Sequence, residues 1–208
     1  MLFLSNTSAD LFKISFYFLL LKVFMLKKNV VLVALGLVAS LLSVSAAAQN
    51  YAGAAVGKTT WNGFCSNGDY CSSDVRLVFG ADFTYNWGGE LSYYNLSSVS
   101  NPSYFGGNTT VKSSGIDAVA IYRMPFGNSK FSGFAKFGFA LNSGDMRMNS
   151  VSYSHTSREP VFGAGVNYQF APDMMARIGI DERRVQTGAA KFTKFRTSNL
   201  HVGLFKYF

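Results

Sequence analysis

An all-β fold is predicted, an eight-stranded antiparallel up-and-down barrel set in a membrane, and three observations point to it. After Gln49 the apolar residues recur with period two in stretches about ten residues long, bounded by Asn, Gly, Ser and Pro clusters, with no helical periodicity. The connections alternate long and short, as they do when long loops lie outside and short turns lie in the periplasm. The chain also closes on a strand-like run in which Leu200, Val202, Leu204 and the terminal Phe208 share one face. In lipid every backbone group must be satisfied internally, so strands cross only as a closed barrel.

The elements follow in order. Met25, Leu26, Lys27 and Lys28 make a basic start, Val30 to Val44 an apolar run, and Ala46, Ala47 and Ala48 a small-residue site. That is the three-part layout of a secretory signal over residues 25–48, with cleavage expected after Ala48. Residues 1–24 lie upstream and are expected to reflect a mis-called start, Met25 being the true one. The rival is an inner-membrane anchor, but Lys13 and Lys22 interrupt a short greasy stretch. The expected barrel domain is residues 49–208.

Strands are expected near Asn50 to Trp61, Asp74 to Tyr85, Gly88 to Ser98, Ser113 to Met124, Lys130 to Leu141, Glu159 to Phe170, Met174 to Val185 and Lys194 to Phe208. The long connections are Asn62 to Ser73, Val99 to Lys112 and Asn142 to Arg158. The short ones are Asn86-Trp87, Pro125 to Ser129 and Ala171-Pro172-Asp173.

Alternation assigns the faces. In the second strand Val75, Leu77, Phe79, Ala81 and Phe83 oppose Arg76, Gly80 and Asp82, with Val78 beside the latter. In the fifth, Phe131, Phe137, Phe139 and Leu141 oppose Ser132, Lys136 and Gly138. Phe162, Val166, Tyr168 and Phe170 of the sixth oppose Gly163, Gly165 and Asn167, and Ile178 and Ile180 of the seventh oppose Arg177, Gly179 and Asp181. A water-soluble barrel would put its apolar side inward. The faces rich in charge and glycine are assigned to the lumen here, and the Phe, Leu, Ile and Val faces to lipid. Tyr51, Trp61, Trp87, Tyr93, Tyr122, Tyr168 and Tyr207 fall near strand ends, where an amphipathic ring suits the membrane boundary, although strand propensity alone accounts for part of the set.

The whole chain has a net charge of +8; the four lysines and one aspartate before Gln49 leave +5 on the mature part. Its cations are scattered singly apart from Arg183-Arg184, which is not the stripe that nucleic-acid binding requires, and attraction to anionic lipopolysaccharide is the milder alternative. Cys65 and Cys71 share one Gly/Ser/Asn-rich segment, and in an oxidising periplasm they are expected to form a loop disulfide. With only Asp69 and Asp74 near, two thiols make a poor zinc site, and no metal or cofactor is expected.

Tyr51-Ala52-Gly53-Ala54-Ala55-Val56-Gly57, Trp87-Gly88-Gly89-Glu90-Leu91, and Pro160 to Tyr168 running through Ala171-Pro172-Asp173 to Arg177 resemble the OmpA-type transmembrane barrel. The resemblance spans the mature chain and implies a barrel without the family's peptidoglycan-binding domain. It implies that Glu90 and Arg177 are inward charged positions; Arg76, Asp82, Asp117, Arg123, Lys136 and Asp181 share inward parity. It also implies that the barrel assembly machinery reads the terminal strand, although Lys206 stands where the family has an aromatic residue, with Tyr207 next to it. Asn167 replaces an inward acid of the family.

An eight-stranded barrel is just wide enough to be filled by side chains, so the lumen charges are expected to form a paired polar plug. A narrow gated conductance is the alternative. The expected role is structural, in envelope integrity, with surface-exposed loops; a small porin-like channel and an adhesin that meets a host or surface ligand are the other readings. His155-Thr156-Ser157 resembles the His-x-Ser pair of the barrel lipid A deacylase, with Glu159 the nearby acid, but it is expected in a polar loop, and a solvated loop histidine is much the better account of a three-residue match. The chain is therefore read as no enzyme.

Overall fold

The structure, a computed structural model, describes residues 49–65, 71–101, 108–149, 151–187 and 194–208; the expected upstream extension and signal peptide lie outside them. The strands are β1 (Gln49–Trp61), β2 (Ser72–Asp82), β3 (Trp87–Asn101), β4 (Thr109–Pro125), β5 (Phe131–Met148), β6 (Val151–Ala171), β7 (Met174–Gln186) and β8 (Lys194–Tyr207). Each pairs antiparallel with the next, and β8 returns to β1 from Tyr51↔Tyr207 to Trp61↔Thr197, closing the barrel. Closure leaves no sheet edge at membrane depth, the condition a bilayer imposes on strands. Among the described residues no helix is long and apolar enough to cross a membrane.

Several boundaries differ from expectation. β3 runs on to Asn101 and β4 begins at Thr109, inside the expected loop Val99 to Lys112, because Val99, Ser100 and Asn101 still pair with Val111, Thr110 and Thr109. β2 ends at Asp82, because the Phe83 amide donates to the Trp87 carbonyl (2.9 Å) and the Trp87 amide to Thr84 Oγ1 (3.0 Å), folding Phe83 to Asn86 into the turn. The largest correction concerns Asn142 to Arg158. Most of that expected loop is strand: β5 and β6 pair without interruption from Phe131↔Tyr168 to Met148↔Val151, and the turn lies at Asn149, whose φ is 50°. Above the hydrocarbon a strand has no lipid to face, so the apolar alternation that marks its lower half is replaced by Ser, Asn and Thr, which read as loop.

The faces are inverted relative to a soluble barrel. Phe139 is 70% exposed, and Phe137, Phe162, Ile178, Ile180, Val202 and Leu204 are all more than half exposed, while Asp181 and Arg76 are buried. Ala81 shares the outward parity of β2 yet is buried. Trp87 and Tyr122 pair on the outer wall with ring centroids 5.0 Å apart, and Phe131 stacks on Tyr168 at 4.7 Å. Tyr51, Trp61 and Tyr207 do not join them. All three point into the lumen, Tyr51 and Trp61 fully buried and Tyr207 half-buried, which corrects their expected place at the membrane boundary.

Candidate functional site

The lumen is a stack of three layers of side chains. In the layer nearest the termini, Tyr51 Oη donates to Glu90 Oε1 (2.6 Å) and accepts from Arg123 Nη2 (2.5 Å), and Arg123 also donates to Asp82. Arg177 bridges the strands: its Nη1 donates to Glu90 Oε1 (2.6 Å), and its Nε to Asn167 Oδ1 (2.8 Å). The Arg177 guanidinium lies between two rings, 4.7 Å from the centroid of Phe134 and 4.5 Å from that of Phe205. A planar cation that keeps its hydrogen-bonding edge free can be sandwiched in this way. Val78, Met175 and Phe205 pack around Tyr51, with Tyr207 against them.

Asp181 organises the middle layer. It accepts from Arg76, lies 2.9 Å from Lys136 Nζ, and is approached by Arg183 (3.7 Å) and His201 Nδ1 (3.8 Å). Arg76 Nη2 also lies 3.3 Å from Asp74, while Arg183 Nη2 reaches Asp117 at 3.1 Å, and Ser92 donates to the same aspartate. The cations Arg76, Arg123, Lys136, Arg177 and Arg183 thus match the anions Asp74, Asp82, Glu90, Asp117 and Asp181 one for one. Balance matters here, because an unmatched buried charge costs several kcal/mol.

At the opposite end the lumen is apolar. Trp61, Phe64, Tyr94, Leu96, Val111, Met146, Val185 and Phe195 form a buried cluster, with the Cys65–Cys71 disulfide packed against it. Tyr94 donates to Asn142 and carries the Arg183 guanidinium 4.0 Å above its ring, joining this cap to the charges below.

All eight charged residues singled out from the sequence therefore face the lumen, where they divide into one cluster around Glu90 and one around Asp181. Asp74, Arg183, His201, Tyr94, Asn142 and Asn199 belong with them and were missed. Strict parity would have found Asp74 from Arg76, Arg183 from Asp181, and His201 from its opposition to Leu200 and Val202. Arg183-Arg184 is no basic pair in space, since Arg183 is buried and Arg184 exposed.

In the terminal strand Val202, Leu204 and Phe208 are exposed on the outer wall and Leu200 half-buried. Phe208 donates its amide to the Asn50 carbonyl (2.9 Å), and its ring lies 6.1 Å from that of Phe79. Lys206 reaches Asp173 at 3.8 Å. His155 and Ser157 stand in β6, not in a loop. Ser157 is buried with its hydroxyl making no hydrogen bond, and Glu159 is held by Lys194 at 2.7 Å.

The sequence profile of the outer membrane protein beta-barrel domain matches residues 31–206. The chain belongs to that family. This barrel is accordingly a protein of the Gram-negative outer membrane, and the matched region begins inside the expected signal peptide. Among solved structures, Neisserial surface protein A superposes with a TM-score of 0.57 at 20% identity, covering 77% of this chain and 97% of that one. Ail, the attachment invasion locus protein of Yersinia pestis, solved in complex with the heparin analogue sucrose octasulfate, gives 0.50 at 14% identity, with 77% and 97% covered. At such identities the likeness is one of fold. No curated protein matches the chain.

Proposed function

We propose that this outer-membrane barrel is a structural component of the envelope whose lumen does not conduct. The observation that carries the reading is the filled interior: an apolar cap at the end away from the termini, and below it charges matched one for one around packed aromatic rings. Water or an ion crossing this stack would have to displace packed aromatic rings and then strip charges of their partners. Planar-bilayer recordings of the refolded full chain should be indistinguishable from lipid alone, and discrete conductance steps would sink the reading. Loss of the protein should raise sensitivity of the cell to detergents, the expected mark of an envelope role.

The signal over 25–48, cleavage after Ala48 and recognition of Phe208 by the assembly machinery are parts of the same proposal. Intact mass of the protein from outer membranes tests the cleavage, and deletion of Phe208 tests the recognition through the yield of heat-modifiable barrel.

A second reading, adhesion, is favoured by the β5–β6 hairpin. Its upper half rises past the point where β6 stops pairing with β7, at Val161↔Arg183, and presents exposed Val151 and Tyr153. Removing the hairpin tip should abolish binding to host cells or matrix if this surface is used. We read the chain as non-enzymatic: a deacylating serine needs a base in reach and access to lipid, whereas Ser157 points inward with no hydrogen bond to a base, and the Glu159 carboxylate is taken up by Lys194.

A further inference from the structure

On the outer face of β7 and β8, strand pairing has produced an arrangement that it does not itself favour. Arg184 and Arg196 are direct register partners, share the outward parity and are both exposed. Partners on one face of an antiparallel pair have Cβ atoms about 5 Å apart, and like charges so placed repel. Glu182 offsets part of this by binding Arg196, but among the described residues no carboxylate pairs with Arg184. Arg158 on β6 is a third exposed, outward arginine.

Arg184 is held from inside the barrel. Pro160 has no amide hydrogen, and the β6–β7 ladder ends one pair below, at Val161↔Arg183. The Arg184 carbonyl is satisfied instead by Asn142 Nδ2, which reaches it from β5 at 2.7 Å. The cation therefore projects from a backbone fixed in place.

Its height and its juxtaposition with Arg196 indicate a ligand. Ile180 and Leu200, also register partners, are the last apolar outward residues on β7 and β8. Arg184 and Arg196 lie four residues beyond them, about 13 Å along the strand and about 10 Å along the axis of a barrel tilted by ~40°. That is headgroup depth, and a long guanidinium arm can drop back towards the hydrocarbon edge. Lys58 on β1, Lys112 on β4 and Arg147 on β5 are outward and exposed as well, but Lys112 is paired with Asp145 at 3.4 Å and none of the three has another cation as its register partner.

We propose that Arg184, Arg196 and Arg158 form a docking site for the phosphate groups of lipid A in the outer leaflet. The proposal rests on the outer-membrane placement above and adds to it a defined lipid position. Each guanidinium presents a planar fork of donors that matches a phosphate in bidentate fashion, and a dianionic group between Arg184 and Arg196 would turn their mutual repulsion into attraction.

The test uses the full chain purified from outer membranes in mild detergent, incubated with phosphorylated lipid A or with dephosphorylated lipid A of the same acylation, and examined by native mass spectrometry. The wild type should retain the phosphorylated lipid roughly tenfold better, and Arg184→Gln/Arg196→Gln should lose most of that preference while remaining heat-modifiable. Should the double variant misfold, Arg184→Gln alone carries the test, since it strands no carboxylate. Lys112→Gln, which changes an exposed cation on β4, should leave retention unchanged. Equal retention of both lipids by the wild type, an unaltered preference in the folded arginine variants, or an equal loss in Lys112→Gln would each overturn the site. Failure of the protein to fractionate with outer membranes would count against the envelope reading, whereas a folded outer-membrane barrel indifferent to phosphate would overturn the docking site alone.

Discussion

Two lysine–aspartate pairs show how differently the lumen and the surface hairpin use the same chemistry. Lys136 meets Asp181 at 2.9 Å with both side chains buried, and Lys112 meets Asp145 at 3.4 Å with both exposed. On the hairpin, water solvates either partner if the other is lost, and salt screens their attraction. In the lumen nothing replaces a lost partner, and each charge shares several others: Asp181 is met by Arg76, Lys136 and Arg183, and Glu90 by Arg177 and Arg123. The ion pairs of the lumen are thus a joint constraint on five strands, whereas the hairpin pair joins two that are already hydrogen-bonded. A buried ion pair is weak evidence for stability in itself, but removing one partner is costly.

The sharpest way to break this contrast is Asp181→Asn. It leaves Arg76, Lys136 and Arg183 with an uncompensated excess and should cost about 3–5 kcal/mol in equilibrium unfolding from lipid vesicles. A loss below about 1 kcal/mol would mean that water enters the lumen freely. Next comes the outer wall, where Phe137→Arg places a charge near the middle of the apolar band. About 2–4 kcal/mol should be lost in vesicles, and an unchanged unfolding midpoint would put that face in water. Gly80→Val tests the packing around Tyr51, because the side chain of any residue there would land on the Tyr51 ring. Displacing a tyrosine that links Arg123 to Glu90 should cost about 1–3 kcal/mol, read from the same unfolding curves. The smallest effect is reserved for Lys112→Gln, which should change stability by less than about 1 kcal/mol and do so less at high salt. If it rivalled Asp181→Asn, the distinction between the two regions would fail.

Much of the barrel was legible because its determinants are local. Val75, Leu77 and Phe79 against Arg76, Ile178 and Ile180 against Arg177 and Asp181: successive Cβ atoms point to opposite faces, so neighbours in the chain reveal which way each other points. The same rule failed where its contrast faded. Above the hydrocarbon, β5 and β6 carry polar residues on both faces, and Asn142 to Arg158 lost its strand signature although the ladder runs on to Met148↔Val151. It misled for Tyr51 and Trp61, because an aromatic near a strand end suits the membrane boundary and the mouth of the lumen equally well, and only its parity relative to Ala54 and Val56 separates the two. Phe134 was overlooked for a related reason: it is an apolar residue on a polar face, present because Arg177 needs a ring to lie on.

By itself the sequence determined the number of strands, the direction in which their greasy sides point and the set of charges left facing inward, since all of these follow from a two-residue period and the short turns between strands. Which cation meets which anion was decided only by closure. Arg76 finds Asp181 across 105 residues and Arg177 finds Glu90 across 87, because the stagger accumulated around eight paired strands brings particular rows of side chains to one height in the lumen. That height is a property of the whole ring of hydrogen bonds, and no single strand contains it.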